Sequence, residues 1–298
     1  MNKYRFLTEI KAQYDQGNNV IEFLKKLDNS TTNSLEDILI SYDFQAGSYV
    51  KGYRENVALK EAYCQAIVKV LLGLGPFNSI LEAGVGEATT LARVVAQFPR
   101  HIGHVLGFDL SWSRIRYALG FVQEQNIRHT TLFTGDLFQM PLADNSVDIV
   151  YTSHSVEPNG GRETGALTEL YRVANRYVVL LEPSYELASD EARKRMLHHG
   201  YVTNLLASAQ ALGYKIKEHR LFDLSINPLN TTGLLVIEKN GSAGIPAEPF
   251  LACPHTKARL REFSDSLFAE ESLLAYPKIR GIPCLLPQNA LLATHFLR

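Results

Sequence analysis

The chain has 298 residues, 46% hydrophobic and 20% charged, which excludes a disordered protein and, at about 100 to 200 residues per domain, argues for about two folded domains. Thirty lysines and arginines stand against 31 aspartates and glutamates, a formal charge of -1, so nothing in the balance favours coating a nucleic acid or an anionic membrane. Three widely spaced cysteines, Cys64, Cys253 and Cys284, exclude a disulfide framework and suit a reducing compartment, the cytoplasm by default.

Residues 1 to about 75 are predicted to be helices with a loop. MNKYRFLTEIKAQYDQ lacks the apolar core of a secretory signal, and no apolar run approaches the roughly 18 residues of a membrane span. YRFLTEIKAQY and NVIEFLKKL have helical spacing, Ser34 to Asp37 has the pattern of a capping box for a third helix, and Tyr42 to Tyr53 is Gly/Tyr-rich. From about residue 78 the pattern changes to short apolar runs: NSILEAG, GHVLGFDL, TTLFTGD, VDIVYTS, YVVLLEP, YKIKEHRLF and TGLLVIEK. ATTLARVVAQF, WSRIRYALGFVQEQ, GALTELYRVA and DEARKRMLHHGYVTNLLASAQALG alternate with them as amphipathic helices. That alternation calls for parallel βαβ units and an open doubly wound α/β sheet. SINPLNT, between the last two runs, is too short for a crossover helix, so those strands should pair as an antiparallel hairpin. NGSAGIPAEP then marks a domain boundary before about 48 residues of different character.

The strongest local signal is Ile80 to Thr90, a strand running into a glycine turn that opens a helix. Gly84 and Gly86 let the backbone pass close to a ligand, and the helix start offers amides to an anionic group. Alone, such a turn marks either a nucleotide-type cofactor or an ordinary tight bend. Its charge bears on the choice. Glu82 and Glu87 stand in it with no Lys or Arg before Arg93, which disfavours a pyrophosphate and favours a locally cationic cofactor such as S-adenosylmethionine, unless both glutamates point to solvent. Asp109, ending the second strand, is placed to accept from ribose hydroxyls, and Ser111 caps the next helix. Asp136 and Leu137, ending the third strand, can read an adenine edge or form a plain Asp turn.

In order and spacing, about residues 55 to 240 resemble the class I S-adenosylmethionine-dependent methyltransferases. LEAGVGEA is similar to their first motif, with Ala88 where a third glycine often stands. Asp109 matches their acidic residue after the second strand, and Asp136 with Leu137 their adenine-contacting pair. PLADNSVDIVYTSHSVEP resembles the fourth-strand motif of the branch acting on small molecules. Ser153-His154-Ser155 replaces the Asn-Pro-Pro-Tyr type tetrapeptide of enzymes acting on adenine or glutamine amino groups. The resemblance implies a seven-stranded, mostly parallel sheet ending in an antiparallel hairpin. It further implies S-adenosylmethionine as cofactor, held by Glu82, Gly84, Gly86, Asp109, Asp136, Leu137 and Ser153. Residues 1–55 become a helical leader or lid, 56–240 the cofactor-binding domain, and 246–298 a small C-terminal α+β domain. Over about residues 248 to 290, LACPHTKARL and AYPKIRGIPCLLP resemble the zinc-ribbon-like domain related to activator subunits of RNA and protein methyltransferases. Of its two Cys-x-x-Cys pairs only Cys253 remains, with Thr256 in its partner's place. His255 and Cys284 do not complete four ligands, so no metal is expected.

Methyl transfer needs alignment first and a base only where the acceptor is protonated. His154, just past the fourth strand, is the candidate base, or a histidine that packs or caps its loop. Glu157 and Glu182 are candidates for polar acceptor contacts, or ordinary strand-end acids. The basic helix from Glu191 to His199 is a solvated face or a phosphate-binding one. Tyr42, Tyr49 and Tyr53 close over the cofactor or serve as packing. The expected activity is methyl transfer to a small-molecule acceptor, such as a sugar or glycan precursor, with the C-terminal unit a structural cap or a homodimer contact. The rival readings are an enzyme acting on RNA or protein through a fused activator, and a nonenzymatic scaffold that keeps the fold. A nucleic-acid partner is not expected.

Overall fold

A computed structural model describes residues 2–225, 227, 229–241 and 248–298. Most of the Gly/Pro-rich boundary segment, 242–247, lies outside the described residues.

The leader consists of α1 (Leu7–Asp15), α2 (Val20–Asp28), α3 (Leu35–Phe44) and α4 (Ser48–Glu55), followed by the longer α5 (Val57–Gly73). The capping box at Ser34 is complete: its hydroxyl accepts from Asp37 N at 3.1 Å, and Asp37 Oδ2 accepts from Ser34 N at 3.0 Å. The expected loop from Tyr42 to Tyr53 is instead mostly helix. α3 runs on to Phe44, and Gly47, at φ 98°, makes the tight turn into α4. The first three helices close around their own small core of Ile10, Val20, Leu24 and Ile40. Lys3 is buried beneath it between Asp28 and Asp37.

All seven predicted strands form. They are β1 (Ser79–Ala83), β2 (His104–Asp109), β3 (Thr130–Thr134), β4 (Val147–Ser153), β5 (Ala174–Pro183), β6 (Lys215–Leu221) and β7 (Thr232–Glu238). Their order is β3-β2-β1-β4-β5-β7-β6, with β7 alone antiparallel to its neighbours, as the short SINPLNT connection requires. α5, α6 (Thr89–Gln97) and α7 (Trp112–Glu124) cover one face through Ile67, Leu91 and Ile115. α8 (Glu163–Val173) and α10 (Leu205–Ala211) cover the other through Leu167, Leu170 and Ala209. The single helical stretch expected over 190–212 is broken. Gly200, at φ 69°, closes α9 (Asp190–His199) in the left-handed conformation a C-terminal cap favours, and α10 starts afresh.

The crossover from β3 to β4, residues 135–146, holds no helix. It leaves Leu106, Phe108 and Phe133 on the α8 face without a helical cover of their own, and residues 248–298 supply one. Leu267, Tyr276 and Leu285 share a single buried cluster with those three side chains. The C-terminal segment is an antiparallel sheet of β8 (Arg261–Glu262), β9 (Ser266–Ala269), β10 (Leu274–Ile279), β11 (Ile282–Pro283) and β12 (Leu291–Leu292). Its one helical element among the described residues is a 3-10 turn, Pro287–Asn289, so the unit is β where an α+β domain was expected. It is pinned at the start and the middle of the crossover. Leu285 N donates to Thr134 O at 3.1 Å beside edge strand β3, and Ala252 N donates to Pro141 O at 3.0 Å.

Candidate functional site

β1, β2, β3 and β4 end side by side, and a cavity opens beyond their carboxyl ends, where open α/β sheets place ligands. Glu82, Gly84, Gly86, Asp109, Asp136, Leu137, Ser153 and His154 all line it, brought together from across about 70 residues of sequence. Tyr42 and Tyr49 of the leader also line it, whereas Tyr53 lies in the core, edge-on to Phe121 and donating to Glu61.

Gly84 makes the close approach. It sits at φ 74°, and a Cβ there would stand 2.3 Å from Ser155 Cβ. Ala88, in the place of a third glycine, adopts the same left-handed region at φ 56° and starts α6. Asp109 is fastened on two sides, Oδ2 accepting from Gly86 N and Oδ1 from Ser111 N, both at 2.9 Å. Burial raises its carboxyl above the ordinary range, with the Arg114 charge pulling the other way. Asp136 accepts from Phe138 N at 2.9 Å, forming the Asp turn while facing the cavity, and burial raises its carboxyl too. Ser153 shares a hydrogen bond with Tyr63 Oη at 3.0 Å.

The two acids of the glycine turn behave differently from each other and from expectation. Neither points to solvent: Glu82 is 2% exposed and Glu87 1%. Glu82 accepts from Tyr151 Oη at 2.6 Å, and burial pushes its carboxyl up to about 8. Glu87 accepts from Gly47 N at 2.8 Å and Val50 N at 2.7 Å, capping the start of α4, so its charge is committed to the leader. The turn is also not free of cations. Arg114, 4% exposed, reaches it from the first turn of α7, stacked on Tyr42 and Tyr49 with ring distances of 4.4 and 4.5 Å. Its Nε donates to Tyr42 O, while Nη2 is buried with no partner. Arg114 is not legible beside the glycines, because it stands 28 positions beyond Gly86. The available signal was its place three residues after the Ser111 cap, where a first-turn side chain overlooks the strand ends.

His154, at φ 55°, occupies a strained backbone position among the cavity walls. Its Nδ1 is 2.7 Å from Glu157 Oε2 and its Nε2 2.9 Å from Thr232 Oγ1. Burial works against its charged form, but the hydrogen bond and charge of Glu157 outweigh it and raise the imidazole above its ordinary value. Glu182 does not face the cavity: its oxygens accept from Ser155 N and Glu157 N, both at 3.0 Å, which holds the loop after β4 in place. Burial pushes Glu182 up to about 7. The arrangement therefore presents one imidazole, oriented by one carboxylate, on a loop stapled by another.

Cys253 lies 3.2 Å from Tyr276 Oη, His255 is bonded to Pro287 O, and Cys284 sits beside β3. Among the described residues the one group of three potential metal ligands is Glu22, His198 and His199.

Residues 80–177 match the model of a family described as a methyltransferase domain. No curated protein matches the chain in sequence. The fold is similar to that of magnesium protoporphyrin IX methyltransferase from Synechocystis PCC 6803 crystallised with bound S-adenosylhomocysteine. The TM-score is 0.51 at 15% identity, over 67% of this chain and 99% of that one. The same enzyme with bound S-adenosylmethionine gives 0.51 at 16% identity, over 70% and 100%. Geranyl diphosphate C-methyltransferase from Streptomyces coelicolor A3(2) gives 0.46 at 12% identity, over 59% and 80%. At these identities the likeness is one of fold.

Proposed function

We propose that this S-adenosylmethionine-dependent methyltransferase acts on a small-molecule acceptor that approaches the cavity beneath the leader. The observation that carries the reading is the convergence of Gly84, Gly86, Asp109 and Asp136 on one cavity already roofed by Tyr42 and Tyr49. The residues fit the cofactor. Asp109 and the unpartnered Arg114 Nη2 offer an acceptor and a donor to vicinal hydroxyls, Asp136 an acceptor to an exocyclic amine, and Gly84 with Gly86 leave room at the turn. When bound, S-adenosylmethionine supplies a methyl group on a positive sulfur, open to in-line displacement.

Glu82 is buried at the inner end and largely protonated near neutral pH; it would release its proton when a cation arrives beside it. Ser153 lines the same wall. His154 is the candidate base: with Nδ1–H donating to Glu157, Nε2 is the proton acceptor, and it must exchange Thr232 for the acceptor molecule to act. An acceptor with an unprotonated nucleophile needs only the alignment. The C-terminal sheet serves as a structural cap, and its likeness to activator domains reflects descent rather than a retained metal site. Three unpaired, buried cysteines suit the cytoplasm, and no helix among the described residues is long and apolar enough to cross a membrane.

Calorimetry with S-adenosylmethionine tests the reading: binding is expected, with a loss of about tenfold or more in Asp109→Ala, whose carboxylate would make charge-assisted bonds to the ligand. Absence of binding, or binding indifferent to Glu82→Ala and Asp109→Ala, would overturn it. Methyl-labelled cofactor with fractionated extracts then tells small molecules from polysaccharide, RNA and protein as acceptors.

A further inference from the structure

A second depression lies across the leader from the cofactor cavity. Tyr42 and Tyr49 form a wall common to both, and Glu157, which orients His154, stands at the inner end of the second. From there outward the groove is lined by Lys25 and Lys26 of α2 and by Arg195, His198 and His199 of α9. These two helices are far apart in sequence, and the basic character of the groove exists only in the folded chain.

The cations outnumber the acids available to them. Glu22 and Glu157 are the groove's carboxylates; Glu22 lies 3.7 Å from His198 Nε2 and accepts from Asn19, and Glu157 is engaged by His154 and Asn230. Lys25 and Lys26 make no ion pair among the described residues. Lys25, Lys26, His198 and His199 stand in the last turns of their helices, where cations offset terminal carbonyls, and that alone would account for them. It does not account for Arg195. This residue sits a turn earlier, its guanidinium 5.4 Å from the Tyr201 ring, with Nη1 buried and without a partner. Arg195, His198 and His199 share one helical face by their spacing of three and four. Burial, and then the charges of Arg195 and His198, hold His199 below its ordinary range.

We infer that this groove binds a phosphate group of the methyl acceptor, so that the substrate class is a phosphorylated small molecule whose reactive end reaches past Tyr42 and Tyr49 toward His154. The inference deepens the proposed function and rests on it. A planar guanidinium sharing a groove with two lysines suits a phosphate dianion, through a bidentate contact and two point charges. A divalent metal on Glu22, His198 and His199 is the competing occupant. Three permanent cations in the same groove, against Glu22 and Glu157, oppose it.

Two measurements on the full chain test this. Inorganic phosphate is titrated into wild type, Arg195→Ala and the double variant Lys25→Ala/Lys26→Ala, with S-adenosylmethionine titrated separately into each. Saturable phosphate binding that weakens tenfold or more in both variants, with cofactor affinity unchanged, is the expected result. Phosphate binding that is absent or indifferent to the variants, or zinc binding alone at this site that is lost in His198→Ala, overturns the inference. Failure of the cofactor titration in wild type overturns the proposed function instead. In the second measurement, an extract is treated with phosphatase before incubation with methyl-labelled cofactor. Label entering the small-molecule fraction should fall tenfold or more, and undiminished label overturns the inference.

Discussion

The leader and the C-terminal sheet both lean on the seven-stranded sheet, yet they are attached by opposite means. α1 to α3 have a small core of their own and meet the helices of the large sheet through exchanged polar caps, while α4 also buries Val50 and Tyr53 in the main core. Glu87 after β1 caps α4, and Asp43 at the end of α3 accepts from Ser111 Oγ and from Ser113 N and Oγ at the start of α7. Asn33 adds bonds to Pro158 O and His199 O. Among the described residues the C-terminal sheet packs Phe263, Phe268 and Phe296 together and buries Leu267, Tyr276 and Leu285 in the core it completes, and backbone bonds at Thr134 and Pro141 and the Lys257–Glu169 ion pair add to that packing. Polar caps can part into water and re-form, whereas a shared core cannot be opened without exposing Phe108 and Phe133. The difference teaches that the first three helices are suited to move over the site and the C-terminal sheet to hold it still.

The largest expected effect lies on the C-terminal side. Leu285→Ala should destabilise the whole chain by about 2 to 5 kcal/mol in denaturant unfolding, in a single transition that includes the large sheet. A separate early transition confined to residues 248–298 would break the comparison. The next effect comes from the buried acids of the site. Glu82 and Glu182 are held at about 8 and about 7, above the ordinary carboxyl value, so the folded chain binds protons more tightly than the unfolded one across that interval. Stability should therefore fall as pH rises from about 4.5 to 8, and the double variant Glu82→Gln/Glu182→Gln should flatten the profile of melting temperature against pH. His154, raised as well, acts in the same direction: its contribution is complete below its ordinary value of 6.5 and is lost above its raised one.

Smaller again is the leader joint. Glu87→Gln weakens two bonds to a carboxylate and should reduce leader docking by about 1 to 3 kcal/mol, seen as faster amide exchange in α4 and weaker cofactor binding with the global unfolding midpoint nearly unchanged. A global loss matching that of Leu285→Ala would show the two joints to be alike. Smallest is Ser34→Ala, which removes the capping box at a cost of about 1 kcal/mol and should loosen α3 alone.

How much of this was legible in the residues follows the same division. Runs such as GHVLGFDL and the short SINPLNT connection announce strands and the closing hairpin, because periodicity and connection length are local properties. Gly84, Gly86, Asp109 and Asp136 were readable at strand ends for the same reason. What escaped was long-range. Glu87 reads as a free charge at the turn, and its pairing with Gly47 and Val50 depends on where α4 comes to rest. Arg114, 28 positions beyond Gly86, reaches the glycine turn only after α7 packs. The missing helix between β3 and β4 is visible in the segment after Thr134, but nothing local says that Leu267, Tyr276 and Leu285 fill the space.

That filling has a temporal consequence. Translation delivers the seven strands before it delivers Tyr276 and Leu285, so on the ribosome the sheet waits with Leu106, Phe108 and Phe133 bare. A nascent chain halted short of residue 285 would present that greasy surface to chaperones and proteases.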